Sequence, residues 1–254
     1  MKVKNILISQ NAPADFSKSP YADLTKKYSV NIEFFKFFKV EGISTREFRD
    51  SKIRITDYEA VVFSSRNAID YFFNLVKDLR VEISEEMKYF CPNDQIAFYL
   101  QKYIQFRKRK IFYPKNNTQK GLFELFLKNP ELKYLIPSGA DATSNPNVEF
   151  MREHGITCQE AVIFRTIPAE IKDSLDITKF DLLVFFSPFG IQSLKYNYPD
   201  FEQGEVAIGA LGDAAAEAVE AAGMTLHVKA PTPQFPSITA ALDAFLKEYA
   251  TRRR

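Results

Sequence analysis

Ala60-Val-Val-Phe-Ser-Ser-Arg-Asn-Ala68 and Leu183-Val-Phe-Phe-Ser-Pro-Phe-Gly-Ile191 follow one plan. Each runs four apolar residues into Ser-Ser or Ser-Pro and then into a helix-forming stretch. Four apolar side chains in a row leave no period-two alternation, so the strand they form is buried on both faces. That is the mark of a parallel sheet covered by helices. A serine at the strand end suits the start of the next helix, because its hydroxyl caps free backbone N–H groups. The unit is strand, turn, helix, and the fold class is α/β.

Outward from these two stretches, short apolar runs keep alternating with amphipathic ones. The expected strands are Lys4–Ser9, Ile32–Phe38, Ala60–Ser64, Met87–Cys91, Lys110–Tyr113, Lys133–Pro137, Glu160–Arg165, Leu182–Ser187, Val206–Gly209 and Thr225–Lys229. The expected helices are Ser19–Tyr28, Ser65–Val76, Asp94–Phe106, Thr118–Leu127, Asn147–His154, Phe189–Tyr196, Asp213–Ala222 and Ile238–Tyr249. Asp213 reads as an N-cap, and Gly155 and Gly223 as C-terminal stops.

The two opening stretches are not the only pair. Ile6-Leu-Ile-Ser-Gln10 and its following helix echo Leu135-Ile-Pro-Ser-Gly139, and Tyr113-Pro with Leu125-Phe-Leu-Lys128 echoes Ala230-Pro with Ala244-Phe-Leu-Lys247. The partners lie about half the chain apart. Any βα unit resembles another to some degree; the alternative is two similar domains facing each other. Asn31–Glu41, rich in phenylalanine, and Cys158–Pro168 occupy matching places, each before a polar stretch. If both carry the chain between domains, the first is discontinuous: residues 1–36 and 168–254 form one α/β domain and 42–160 an inserted one. Residues 37–41 and 161–167 are then linker strands, free to pair with each other.

Composition narrows the function classes. Of 254 residues 46% are hydrophobic and 26% charged, which fits a folded globular chain. No apolar run approaches the roughly 20 residues of a membrane span, and Met1-Lys-Val-Lys4 leads into Ile6 without a signal-peptide pattern. The two cysteines, Cys91 and Cys158, stand far apart without a CxxC, so a reduced, cytoplasmic setting is expected and no zinc cluster. A net charge of +2 gives no cause to expect nucleic acid. The basic run Arg107-Lys-Arg-Lys110 is expected to complement the end of the helix before it. Gly209-Ala-Leu-Gly212 lacks the G-x-G-x-x-G of a dinucleotide loop. The cluster Phe34, Phe35, Phe37 and Phe38 reads as packing, and Arg252–Arg254 as a solvated tail.

Several segments carry a family resemblance. Val61-Val-Phe-Ser-Ser-Arg-Asn-Ala-Ile-Asp-Tyr-Phe-Phe73 resembles the F-T/S-S-x-x-A-V/I-x-x-F segment of uroporphyrinogen-III synthases, and Val184-Phe-Phe-Ser-Pro-Phe-Gly-Ile-Gln-Ser-Leu194 resembles their V-F-F-S-P-x-G. Val206-Ala-Ile-Gly209 with Gly212–Gly223, and Ala230-Pro-Thr-Pro-Gln234 with its closing helix, resemble the family's later segments. Val162-Ile-Phe-Arg-Thr166 stands where the family has V-x-Y-R/Q-T. The resemblance implies two doubly wound parallel-sheet domains (flavodoxin- or Rossmann-like) joined by a two-stranded β-ladder, with the substrate in the cleft between them. It further implies a cytoplasmic monomer that needs no cofactor or metal and has neither nucleic acid nor membrane as partner. Its substrate would be hydroxymethylbilane and its product uroporphyrinogen III, formed by ring closure with inversion of the last pyrrole.

Such a substrate carries eight carboxylates, and strand ends with helix N-termini can receive them. The expected substrate-binding residues are therefore Ser64, Ser65, Arg66 and Asn67; Ser138 and Gly139; Ser187, Pro188, Phe189 and Gly190; Gly212, Asp213 and Ala214; and Phe164 at the family's tyrosine position. Ser64 and Ser187 read equally as helix caps. Two family hydroxyls are absent: the tyrosine is Phe164, and the threonine after the Ile-Gly strand is Ala214 or Ala215. No general acid is named; Asp213 is chemically able to move a proton but reads first as a cap. A non-catalytic two-domain binder of an anionic small molecule, or a degenerate homologue, stands beside the synthase reading.

Overall fold

A computed structural model describes residues 3–142 and 144–251, so the basic tail Arg252–Arg254 lies outside the described residues. In chain order the strands are β1 (Asn5–Ile8), β2 (Asn31–Phe34), β3 (Phe38–Gly42), β4 (Ala60–Val62), β5 (Lys88–Phe90), β6 (Ile111–Phe112), β7 (Tyr134–Gly139), β8 (Cys158–Pro168), β9 (Leu182–Phe185), β10 (Ala207–Leu211) and β11 (Val228–Ala230). The α-helices are α1 (Pro20–Tyr28), α2 (Thr45–Asp50), α3 (Arg66–Leu79), α4 (Asp94–Tyr99), α5 (Gln119–Leu127), α6 (Pro146–Glu153), α7 (Pro188–Asn197), α8 (Asp213–Ala221) and α9 (Ile238–Thr251).

The chain divides into two compact units, Met1–Lys39 with Ile167–Arg254, and Val40–Thr166. The first holds a five-stranded sheet in the order β11-β10-β9-β1-β2, parallel throughout. Its strands are apolar without alternation because both faces are covered. Ile6 and Ile8 of β1 pack with Tyr21 and Leu24 of α1 and Leu242 of α9, while Leu7 between them packs with Leu194 of α7 and Val219 of α8. Each of these side chains, taken fully out of water, contributes about 1.5–3 kcal/mol. The second unit repeats the scheme on a six-stranded sheet, β3-β8-β7-β4-β5-β6. Val61 and Phe63 face α3, and Ala60 and Val62 face α5 and α6.

Two sequence expectations change. Ile32–Phe38 is not one strand but breaks into β2 and β3. Phe35 N–H still donates to the Ile8 carbonyl, but Phe37 turns its ring fully inward and its carbonyl accepts from Ala169 N–H and the Ser193 hydroxyl. Asn197 secures the same corner, with its side chain bound to Ile171 N–H and the Ala169 carbonyl. Beyond it, β3 and β8 are hydrogen-bonded neighbours running antiparallel, since Ala169 meets Phe37 and Ile163 meets Ile43. The second change is α2, inside a stretch read only as polar. Ser44 and Glu47 form a reciprocal capping box, a signal present in the sequence.

The basic run is also placed differently. Helix α4 ends at Tyr99 and a single 3-10 turn reaches Lys102, so Arg107–Lys110 lies in a separate turn that feeds β6. It cannot complement a helix end there. Lys110 is instead buried, 3.6 Å from Glu86. The phenylalanine cluster is packing: Phe34 meets Phe16 and Tyr21 edge-on, and Phe37 meets Phe185. Both cysteines are free; Cys91 is wholly buried, and burial pushes its thiol up to about 12.

Candidate active site

In an open parallel sheet a ligand crevice opens beyond the carboxyl ends of the strands, at the point where strand order reverses. In the six-stranded sheet the reversal falls between β4 and β7, whose following helices α3 and α6 pack on opposite faces. Ser64–Asn67 leave β4 there, and Ser138 and Gly139 end β7. The helix cap expected at Ser64 belongs to Ser65, whose hydroxyl accepts from Ala68 N–H at 3.1 Å. Phe63 N–H still bonds to the Phe90 carbonyl, so the chain turns one residue later and Ser64 stays exposed. Arg66 and Asn67 are exposed on the first turn of α3, the Arg66 guanidinium 5.3 Å from the Tyr99 ring centre.

Ser138 is buried, and its Oγ has no hydrogen-bond partner. Gly139 follows at a shift of register with β8, and a Cβ there would stand 2.7 Å from the Phe164 ring. Phe164 is half-buried, its ring 5.4 Å from that of Tyr71. The Tyr71 phenol does not replace the one missing at position 164, because it donates to the Val40 carbonyl at 2.7 Å.

In the five-stranded sheet the reversal falls between β1 and β9, with α1 and α7 on opposite faces. Ser187 stands at the N-cap of α7, yet its side chain makes no capping bond and its Oγ is buried without a partner. Pro188 opens the helix, Phe189 tilts against Phe38 at 6.2 Å, and Gly190 is buried. Ser9, absent from the residues expected to bind substrate, follows β1 beside Gly190 with the same unpartnered hydroxyl. Its signal was the echo of Ile6–Ser9 in Leu135–Ser138.

Gly212, Asp213 and Ala214 leave the neighbouring strand β10. Here the cap expected at Asp213 is Gly212, whose φ of +85° suits glycine and lacks a side chain to bond. Asp213 is the first helical residue, exposed, with Lys229 Nζ at 2.8 Å. That hydrogen bond holds its carboxyl below the usual carboxylate range, so it remains ionised at neutral pH and offers no proton. Ala214 is exposed beside it.

The structure thus divides the expected residues into two groups, one on each sheet, with Gly212–Ala214 one strand away from the reversal. Among the described residues, the buried side-chain polar atoms without a partner are three serine hydroxyls, Ser9, Ser138 and Ser187. Each ends or follows a strand at a reversal point. A buried hydroxyl left unpaired costs about 1–3 kcal/mol, so the two at matching places, Ser9 and Ser138, argue for a shared use. Hydroxyls and helix-start N–H groups donate to anions. Among the described residues no group of three His, Cys, Asp or Glu could hold a metal ion, and no helix is long and apolar enough to cross a membrane.

Fold and site together define a class: a protein of two doubly wound, mainly parallel sheets whose strand ends carry hydroxyls. The model of the uroporphyrinogen-III synthase HemD family matches residues 19–240, and the chain belongs to that family. The family places it among the enzymes of tetrapyrrole synthesis. Among solved structures it is similar to a uroporphyrinogen-III synthetase from Helicobacter pylori, at 15% identity and TM-score 0.50, with 99% of this chain and 100% of that one covered. It is also similar to a uroporphyrinogen III synthase from Thermus thermophilus, at 15% identity and TM-score 0.44, with the same coverage. At 15% identity the first of these likenesses speaks for the fold alone. A search of the curated proteins found no significant match.

Proposed function

We propose that the protein is a cyclising carbon–oxygen lyase that converts hydroxymethylbilane to uroporphyrinogen III in a reduced, cytoplasmic setting. The observation that carries this reading is the set of unpartnered serine hydroxyls at both sheet reversals, donors suited to a polycarboxylate. Ser64–Asn67, Ser138 and Gly139, with Phe164 beside them, would receive carboxylates on one sheet. Ser187–Gly190 and Gly212–Ala214 would do so on the other.

The substrate's own chemistry does much of the work. The terminal hydroxymethyl C–O bond breaks, and hydroxide leaves as water with the N–H proton of the same pyrrole. The azafulvene left behind is attacked by the far pyrrole at its substituted carbon, giving a spiro intermediate that opens and recloses with the last ring inverted. The protein's part is to hold the chain coiled and exclude direct head-to-tail closure, which is catalysis by orientation. Fixed hydroxyl and backbone dipoles stabilise charge as it forms. Ionised Asp213 is no general acid, and Phe164 and the alanines at 214 and 215 supply no hydroxyl.

That absence favours a second reading, a homologue that binds the tetrapyrrole without turning it over. One assay separates the two: purified protein, freshly generated hydroxymethylbilane, and the isomer ratio of the oxidised products. Type III in excess over the spontaneous type I is the expected result. Type I alone, at the uncatalysed rate, overturns the synthase reading.

A further inference from the structure

We propose that Ser9 and Ser187 together form a carboxylate subsite against the first turn of α7. This rests on the reading of the protein as a binder of polycarboxylate tetrapyrroles. The residue singled out is Ser9, which lies in no segment that resembles the family's motifs.

Ser9 N–H continues the sheet, bonding to the Val184 carbonyl of β9 at 2.9 Å, so the backbone there is held. Its side chain is not held: the residue is 2% exposed and Oγ finds no partner. The hydroxyl lies against α7, since a Cβ on Gly190 would stand 3.4 Å from it and 2.9 Å from the Phe185 ring. Glycine at 190 therefore lets the first turn of α7 pack close over Ser9 and the Phe185 ring. Ser187, three residues earlier on the same turn, is the second buried hydroxyl without a partner. In the first turn of the ten-residue helix Pro188 has no N–H and Gly190 N–H bonds to the Ser187 carbonyl at 3.1 Å, which leaves the Phe189 N–H to face an anion. Two hydroxyl donors and this one N–H are the kind of donors the oxygens of a carboxylate accept from.

The internal repeat supports the assignment. Ile6–Ser9 corresponds to Leu135–Ser138, and Ser138 is the third buried hydroxyl without a partner. A hydroxyl kept unpaired at the same place in both halves is not accounted for by packing, because alanine would fill either position without the desolvation penalty.

The test compares Ser9→Ala and Ser187→Ala with the parent chain by fluorescence titration with uroporphyrin III, an octacarboxylate, at fixed ionic strength. Each variant is expected to bind about tenfold more weakly, the size of one charge-assisted hydrogen bond. The melting temperature of Ser9→Ala should hold or rise, since a buried unsatisfied group is removed. With turnover substrate, KM should rise and kcat change little. Binding by Ser9→Ala within twofold of the parent, or a fall in melting temperature that accounts for weaker binding, overturns the subsite. The isomer assay is independent: loss of binding in Ser9→Ala without type III product from the parent keeps the subsite and removes the synthase reading. Type III product with unaffected binding does the reverse.

Discussion

Phe164 and Gly139 show how one absent side chain is fixed by another. The ring lies so close over the end of β7 that a Cβ at 139 would stand 2.7 Å from it, well inside contact distance. The ring cannot simply withdraw, because Tyr71 lies against it and is itself tied to the Val40 carbonyl. Gly139→Ala should therefore destabilise the protein by about 1–3 kcal/mol, the range for overpacking a filled site. Urea unfolding would read this as a lower midpoint at unchanged slope. An unchanged midpoint would mean that Phe164 does not lie over the strand end.

At the scale of elements, α2 and β8 are joined by charge. Arg165 of β8 reaches both carboxylate oxygens of Glu47, at 2.9 and 3.0 Å, and Glu47 also accepts from Ser44 N–H. The Ser44 backbone bond and then Arg165 lower the Glu47 carboxyl from its ordinary 4.5 to about 2. A carboxylate whose folded value lies below its unfolded one stabilises the protein fully above the unfolded value, and the effect is lost as pH falls through the folded value. The stability advantage over Glu47→Gln should thus be complete above pH 4.5 and vanish by about pH 2. Chemical denaturation across that range would measure it. The advantage is expected to be small, because both side chains are well exposed and screened by water. A stability difference that does not change with pH would exclude the ion pair.

For the whole molecule, the prediction concerns which loops respond to ligand. If strand ends of both sheets receive carboxylates, uroporphyrin III should slow amide exchange at residues 64–67 and 138–139 in one unit, and at 187–190 in the other. The opposite ends of the same strands, such as Ala60 at the start of β4, should not change. Hydrogen exchange with mass readout resolves these segments. Protection in one unit alone would confine the site to that sheet, and none in either would reject the strand ends as the site.

The chemistry of the strands was legible in the sequence because it is local. An apolar run without alternation requires cover on two faces, whichever helices provide it, so β1, β4, β7 and β9 could be read directly. Most helices were legible through their period and their stops, and the serines at strand ends through their place in each βα unit. What sequence could not supply was strand order. Parallel neighbours are distant in the chain, as with Ile6 beside Leu182, and only the folded sheet sets where the order reverses. That reversal makes Ser9 a neighbour of α7, although 178 positions separate it from Ser187 in numbering (187 less 9). The caps at Ser65 and Gly212 were missed by one residue because the last hydrogen bond of a strand, not the residue type, decides where the chain turns. Partners of hydroxyls are likewise a property of the packed state. A serine that caps and a serine left unsatisfied are spelled the same, and tertiary structure alone distinguishes Ser65 from Ser9, Ser138 and Ser187.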